Sequence, residues 1–128
     1  FGAPVSTWQF AGMLTIVDVS TQWCGPCQEI AKTVQDTWKA YEDQGFMYVT
    51  VLPQDLEGSV PDQTDLAAWA DGFGITAPVL ADDSYWYRTC DPGDNFPQLI
   101  LVDRDLHVID PQMESDEPSV RAAIEAHL

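Results

Sequence analysis

The spacing of hydrophobic residues changes at a short cysteine-containing segment near residue 24. Residues 13–20 are almost continuously apolar or β-branched, which is typical of a buried strand. From residue 24 to about residue 44, apolar side chains recur at three- and four-residue steps, and Gly45 can end the helix that this spacing predicts. Residues 46–52 are β-branched and aromatic and predict a second strand. The cysteine segment is therefore predicted to join a strand to a helix.

Shorter elements are predicted in the middle of the chain. Residues 54–63 are polar and acidic and predict a loop. A short helix then runs to about residue 72, with Thr64 or Asp65 as its N-cap. Residues 78–81 predict a strand, whereas residues 82–95 show no clear pattern.

A hairpin and a last helix complete the pattern. Residues 98–102 and 106–109 are short apolar runs separated by a polar turn, so we predict that they pair. Pro118 suits the first turn of a last helix, with Ser115 or Asp116 as its cap. The predicted order β-α-β-α-β-β-β-α indicates an α/β fold in which a sheet carries helices on both faces.

The size of the chain fits one domain. With 128 residues, of which 45% are hydrophobic, we expect a single domain over residues 1–128 with one sizeable core. No run of about 18 apolar residues is present, so no membrane-spanning helix is predicted. The sequence begins at Phe1, so we expect a mature or trimmed chain, with any export signal or membrane tether outside it.

The charge balance excludes some classes of partner. The chain has 21 acidic residues and 5 Lys and Arg, which gives a net charge of -16. Phosphates are neutralised by Lys and Arg, and the few present are scattered along the sequence. Nucleic acid and anionic membrane surfaces are therefore not expected as partners, and a highly soluble surface is the simplest interpretation.

Cys24 and Cys27 stand three residues apart at the predicted strand-to-helix junction. A thiol attacks as the thiolate, and the free N–H groups and positive dipole end of a helix lower the pKa of a thiol placed there. Cys24 lies at that end and Cys27 one turn further in, so we expect Cys24 to attack a target disulfide and Cys27 to release the product. Pro26 suits the first helical turn, Gly25 leaves the thiol uncovered, and Trp23 can shield one side of it.

Other uses of the cysteine pair stay open. Metal sites use the same spacing, but they normally add a second pair or His ligands at similar spacing. Here the remaining candidates Cys90, His107 and His127 are isolated, so we expect redox chemistry without a metal or cofactor. A metal site and an inert structural disulfide are the alternatives. Cys90 is interpreted as a partly buried spare thiol, with a third redox group as the alternative.

The segment from Trp23 to Cys27, following a hydrophobic strand, resembles the active-site motif of thioredoxins. The resemblance implies a thioredoxin-like α/β fold, with a central mixed β-sheet flanked by helices, and thiol-disulfide exchange. It also implies a buried carboxyl six residues before the first cysteine, where Asp18 stands, that exchanges a proton with Cys27. A purely structural Asp18 is the alternative, and the second strand offers no Lys to pair with it.

A second likeness concerns Phe96 and Pro97. Thioredoxin-like proteins place a cis-proline loop against the dithiol just before a core strand, and the segment Phe96-Pro97-Gln98-Leu99 is similar. The resemblance implies that the backbone at Phe96 and Pro97 is exposed for pairing with a substrate strand. An ordinary trans turn at Pro97 is the alternative.

The length of chain between the dithiol and Pro97 favours one branch of this superfamily. Residues 73–82 and 97–108 resemble segments of the redoxin and TlpA-like thiol-disulfide oxidoreductases. This likeness implies an extra helix and strand inserted before the cis-proline loop. Leu106 departs from the pattern, since a turn glycine is usual there. Many such proteins are exported, which implies a periplasmic or otherwise extracytoplasmic location, with a cytoplasmic one as the alternative.

We therefore predict a thiol-disulfide oxidoreductase, most simply a reductase, that acts on protein thiols or disulfides and uses a separate redox donor. Two other functions stay open. A redoxin-type peroxidase would require a Thr-x-x-Cys setting with an Arg nearby, whereas Gln22 and Trp23 precede Cys24 and no Arg is close in sequence. A metal-delivery or binding module would use the same two cysteines without turnover.

Overall fold

Strands and helices alternate as predicted in the computed structural model, which describes residues 3–90 and 93–128. In chain order they are β1 Leu14–Val19, α1 Gly25–Tyr41, β2 Phe46–Leu52, α2 Gln63–Phe73, β3 Val79–Ala81, β4 Gln98–Val102, β5 Val108–Met113 and α3 Glu117–His127. Short 3-10 helices lie at Thr7–Phe10, Glu42–Gln44 and Trp86–Thr89. No helix in these two ranges is long and apolar enough to cross a bilayer.

The strands form one mixed sheet in the order β3-β2-β1-β4-β5. β1 lies at its centre, parallel to β2 and antiparallel to β4, so that Asp18 stands opposite Thr50 on one side and Leu99 on the other. β3 extends the sheet beyond β2 and, with α2, forms the predicted insertion before the cis-proline loop. The predicted central mixed sheet is confirmed.

Alternate residues of the central strands face two different cores. Ile16 and Leu101 join a cluster that contains buried side chains of all three α-helices. Val17 joins a second cluster, to which Tyr87 and Phe10 of the 3-10 helices contribute. Helices therefore flank both faces, with the α-helices on one and 3-10 segments on the other. Right-handed crossovers explain why α1 and α2 share one face, because the chain steps from β1 to β2 to β3 in a single direction.

The helix caps refine the sequence prediction. Asp62 caps α2, instead of Thr64 or Asp65, because its carboxylate accepts the Asp65 N–H at 2.9 Å and the Asp65 carboxylate accepts the Asp62 N–H at 2.9 Å. This reciprocal capping box satisfies two free N–H groups and starts the helix earlier than predicted. Asp116, one of the two predicted residues, caps α3.

The last strand begins later than predicted. Asp103 Oδ1 accepts the N–H groups of Asp105 and His107, each at 2.9 Å, and Leu106 has a φ of 66°. The turn therefore extends through His107, and β5 starts at Val108. This left-handed conformation is the one that glycine adopts most readily.

Side chains hold the segment before β4, which showed no pattern in the sequence. Tyr87 is fully buried, and its hydroxyl donates to Asp94 at 2.7 Å. Arg88 donates to the same carboxylate through two nitrogens. The peptide bond before Pro97 is cis, which confirms the predicted isomer. Pro92, which falls in this segment, lies outside the described residues.

Substitution of Gly45 tests the junction between α1 and β2. Gly45 has a φ of 79°, and an added Cβ would lie 2.6 Å from Nη1 of Arg104. That guanidinium donates to the carbonyls of Gly12, Gln44 and Gly45. We expect Gly45→Ala to lower the free energy of unfolding by about 1–2 kcal/mol, through left-handed strain and displacement of the guanidinium.

The matched control is Gly72→Ala, within α2 and with open space around it. This change should raise the free energy of unfolding by roughly 0.5–1 kcal/mol, since alanine favours a helix more than glycine does. Urea unfolding measures both variants. A Gly45→Ala protein as stable as wild type would contradict this account of the junction.

Candidate active site

Cys24 and Cys27 lie where the central strand passes into α1. Cys24 is the N-cap residue of α1, and its sulfur accepts the Cys27 N–H at 3.2 Å. Pro26 lies in the first helical turn, and Gly25 has open space around it. The two cysteines form a disulfide, with their Cα atoms 5.2 Å apart. Cys24 is 6% exposed and Cys27 is fully buried, so Cys24 is the more accessible of the two cysteines.

An aromatic pair flanks the outer sulfur. Cys24 Sγ lies 3.6 Å from the carbonyl oxygen of Phe96, directly before the cis peptide bond of Pro97. Trp23 is half exposed and packs edge-to-face on Phe96, with ring centroids 6.0 Å apart. Its indole N–H donates to Gln54 Oε1 at 2.8 Å. The structure thus brings the predicted supporting residues around the dithiol.

Gln54 belongs to a ring of side chains that sequence reasoning missed. Its amide lies 3.4 Å from the Tyr85 hydroxyl, to which it donates. Ring centroids are 6.0 Å apart between Tyr85 and Tyr87, and 5.7 Å apart between Tyr87 and Phe96. With Trp23 these side chains form a closed circuit beside the dithiol. No sequence motif signals it, because its members meet only through tertiary contacts.

Asp18 lies on the helix-covered face of β1 and is completely buried. Ser20 donates its hydroxyl to Oδ1 at 2.6 Å, whereas Oδ2 has no hydrogen-bond partner among the described residues. Burial raises the pKa of Asp18 from 3.8 to about 7, and the Ser20 hydrogen bond offsets this only in part. The carboxyl can therefore exchange a proton near neutral pH.

Two further polar groups missed by the sequence analysis lie on β2, on the same face. The hydroxyls of Tyr48 and Thr50 are buried and lack partners within the described part of the chain. Thr50 stands opposite Asp18 in the sheet. Burial and, secondarily, the Asp18 charge raise the pKa of Tyr48 well above its usual 10. Strand register is the signal that could have identified Thr50.

Three other sequence candidates do not join the dithiol. Cys90 is a free, half-buried thiol packed against the second core cluster. His107 lies in the β4–β5 turn with Asp103 and Asp105, where one ligand atom from each lies within 4.8 Å of the others. His127 ends α3. In the ranges that the structure describes, no group of potential metal ligands includes either active-site cysteine.

Comparison with known proteins identifies one family. The model of the AhpC/TSA family matches residues 2–113, which is most of the chain. No curated protein sequence matches the chain.

Solved structures share the fold at low sequence identity. The thioredoxin domain of a thiol-disulfide oxidoreductase from Bacteroides vulgatus is 20% identical, with a TM-score of 0.79 over 98% of this chain and 86% of that one. A thiol:disulfide interchange protein from Bacteroides sp. is 19% identical, with a TM-score of 0.80 over 98% and 79%. A secreted Mycobacterium tuberculosis disulfide oxidoreductase homologous to E. coli DsbE is 19% identical, with a TM-score of 0.72 over 96% and 90%. The thioredoxin-like fold predicted from the sequence is confirmed.

Asp18 should make the stability of the protein depend on pH. Its folded-state pKa of about 7 lies above the ordinary value of 3.8, so the folded protein holds this proton more tightly than the unfolded chain does. The stability from this group is therefore full below about pH 4 and is lost as the pH rises through about 7. We expect Asp18→Asn to gain stability relative to wild type across that window, by on the order of 4 kcal/mol above it.

Urea unfolding of the two proteins at a series of matched pH values measures this difference. Asparagine keeps an oxygen that can accept the Ser20 hydroxyl, so the comparison isolates the charge. A stability difference that does not change with pH would contradict the raised pKa of Asp18.

Proposed function

The chain belongs to the AhpC/TSA family, and from that premise we propose that it is a thiol-disulfide oxidoreductase acting on protein thiols and disulfides. The observation that supports this most directly is the position of Cys24 at the start of α1, where its sulfur accepts the Cys27 N–H and is joined to Cys27 in a disulfide. Cys24 is slightly exposed, whereas Cys27 is fully buried. Two of the proteins of similar fold are a thiol-disulfide oxidoreductase and a thiol:disulfide interchange protein.

The proposed direction is reduction of the substrate. The Cys24 thiolate, stabilised by the free N–H groups of the helix, attacks a substrate disulfide. An S–S bond forms between Cys24 and one substrate sulfur, and the other substrate sulfur leaves as a thiolate. Cys27 then attacks Cys24, releases the second substrate thiolate and closes the Cys24–Cys27 disulfide. Two electrons pass to the substrate, and a separate dithiol donor returns them.

Asp18 is proposed to take the proton of Cys27 in the second step. It lies on the sheet face that α1 covers, the helix that carries Cys27. A pKa of about 7 lets Asp18 accept a proton at neutral pH while remaining a stronger base than an ordinary carboxylate. β2 contains no Lys, and the residue opposite Asp18 on that strand is Thr50. In this proposal the carboxylate therefore acts without a lysine partner from β2.

The backbone at Phe96 and Pro97 is proposed to hold the substrate strand. The Phe96 carbonyl lies 3.6 Å from the Cys24 sulfur, so a substrate strand paired with this backbone would hold its own sulfur close to Cys24. Trp23 and Phe96 pack against each other beside Cys24, and Gly25 adds no side chain next to it.

One observation favours a thiol peroxidase as a second candidate function. Contrary to the sequence expectation, the Thr-x-x-Cys spacing is present: Thr21 precedes Cys24 by three residues and is buried, with no partner for its hydroxyl among the described residues. The three guanidinium groups already have partners: Arg88 and Arg121 form salt bridges, and Arg104 donates to backbone carbonyls. Disulfide exchange is therefore the better supported reaction.

We also propose an extracytoplasmic location, where protein disulfides form and persist. One of the structures of similar fold is that of a secreted protein. The substrates and the redox donor would be met in that compartment.

Cysteine variants test the proposed exchange. Cys27→Ser should attack the disulfides of insulin and stop at a stable mixed disulfide through Cys24, because the resolving thiol is missing. Cys24→Ser should form no such adduct. Cys90→Ser leaves the active pair intact and is the matched control, expected to turn over like wild type. Non-reducing electrophoresis and mass spectrometry identify the trapped species.

Comparison with hydrogen peroxide separates the two candidate functions. The exchange reaction would be overturned in favour of the peroxidase by two results together. The wild-type protein would consume peroxide rapidly, and the Cys27→Ser variant would form no adduct with insulin.

A kinetic prediction concerns Asp18. Asp18→Asn should slow resolution of the mixed disulfide by roughly 100-fold or more near neutral pH, and slow the first attack much less, since only the second step needs the proton of Cys27 removed. Acid quench and mass spectrometry follow the two steps separately. Ser20→Ala keeps the carboxylate but removes its hydrogen bond, so its pH profile should move to higher pH. Equal resolution rates in wild type and Asp18→Asn would exclude the proton-transfer role.

A further inference from the structure

A cleft beside the dithiol takes no part in the exchange chemistry described above. It is formed by residues that flank the cysteine pair, by the loop between β2 and α2, and by α2. Its volume is about 150 Å³, and its lining residues are Gln22, Gln28, Leu56, Ala68, Trp69 and Phe73. A cavity of this size can hold a benzene-sized group.

Three hydrogen bonds fix the cleft relative to the cysteines. The Gln22 N–H donates to the Gln54 carbonyl at 3.2 Å, and the Gln22 side-chain amide donates to the Asp65 carbonyl at 3.1 Å. The Gln28 amide donates to the Gln22 carbonyl at 2.9 Å. Since Gln22 precedes Cys24 by two residues, these bonds attach the loop and α2 directly to the active-site segment. The cleft is therefore held next to the segment that carries Cys24.

Four of the six lining residues are apolar, and the cleft is partly open to solvent. Trp69 and Phe73 pack with ring centroids 4.8 Å apart, and Ala68 beside them is exposed. Leu56 is 65% exposed, and Val60 in the same loop is 47% exposed. Trp69 is already buried, so an apolar group seated here would remove Leu56, Ala68 and the exposed part of Phe73 from water. Binding is favoured in proportion to the area covered.

The elements that form the outer wall are acidic. The β2–α2 loop and α2 carry five carboxylates, on Asp55, Glu57, Asp62, Asp65 and Asp71. No Lys, Arg or His occurs between residues 40 and 87, so neither element contains a cation that could neutralise them. The electrostatic potential at this rim therefore favours a positively charged partner.

We propose that this cleft binds an aromatic or large aliphatic side chain of the protein substrate, in a segment that also carries Lys or Arg beside its reactive cysteine. The inference rests on the proposed exchange function and adds a substrate class to it. The apolar side chain covers Leu56, Ala68 and Phe73, while the cationic side chains face the acidic rim. Cysteine segments that are acidic, or that lack a large apolar side chain, are poor substrates.

Peptide exchange on the Cys27→Ser variant tests this. Each peptide carries one cysteine as a mixed disulfide with thionitrobenzoate. The Cys24 thiolate attacks the peptide sulfur, and an S–S bond forms between them. The bond to thionitrobenzoate breaks, and thionitrobenzoate leaves with the electron pair. Its absorbance measures the rate. Three peptides are compared: one with phenylalanine and two lysines around the cysteine, one with serine in place of phenylalanine, and one with glutamates in place of the lysines.

The first peptide should react roughly tenfold faster than either of the others, a ratio typical of one buried apolar side chain or one complementary charge cluster. Salt should reduce the rate advantage of lysine over glutamate, because salt screens interactions between charges. It should leave the rate advantage of phenylalanine over serine unchanged.

Variants of the cleft, each made in the Cys27→Ser background, assign the two preferences. Leu56→Ser should remove most of the phenylalanine advantage, whereas Val108→Ser, an exposed apolar residue on β5, should keep it. Glu57→Gln should reduce the lysine advantage, whereas Glu114→Gln, exposed beyond the end of β5, should keep it.

Two other outcomes are distinguishable. Equal rates for the three peptides, or preferences that Leu56→Ser and Glu57→Gln leave unchanged, would overturn the assignment of the cleft while the exchange function stands. Failure of the Cys24 thiolate to react with any of the peptides would overturn the exchange function itself, and this inference with it.

Discussion

The hydrogen bond from the Cys27 N–H to the Cys24 sulfur fixes the geometry on which the rest of the site depends. It makes Cys24 the N-cap of α1, so the sulfur occupies the place where a helix has free N–H donors and the positive end of its dipole. The same donor that contacts the sulfur in the disulfide can stabilise the thiolate after reduction. Pro26 removes an N–H that would otherwise have no partner in this turn. The strand before the motif sets where this helix begins, because β1 pairs on both sides and is buried throughout.

The site lies where the two faces of the sheet contribute different chemistry. The helix-covered face holds the dithiol and Asp18 in a buried, poorly solvated environment, which raises the pKa of Asp18 to about 7. The other face is covered by the aromatic segment before β4, whose Tyr87 contacts Phe96 beside the outer sulfur. The proposed proton transfer and the proposed binding of the substrate backbone thus involve opposite faces of the sheet, which meet at Cys24.

Elements with a strong local signal could be predicted from the sequence. The buried run of β1, the helical spacing of α1 and the motif between them placed Cys24 at a helix start, and strand alternation placed Asp18 inside. The predicted element boundaries were wrong where side-chain hydrogen bonds to the backbone set them. The capping box of Asp62 starts α2 earlier than predicted, and the turn held by Asp103 makes β5 start later. The contacts of Gln54 with Trp23 and Tyr85 join residues distant in the sequence, so no local pattern could reveal them.

The most direct test of the central claim is the redox equilibrium of the cysteines in the wild-type protein. The protein is equilibrated in dithiothreitol and glutathione buffers of graded potential, its free thiols are alkylated, and peptide mass spectrometry locates the label. This account predicts that Cys24 and Cys27 lose and regain the label together, as one reversible two-electron couple. Labels that change independently at the two cysteines, or thiols that never pair because a bound metal protects them, would contradict it.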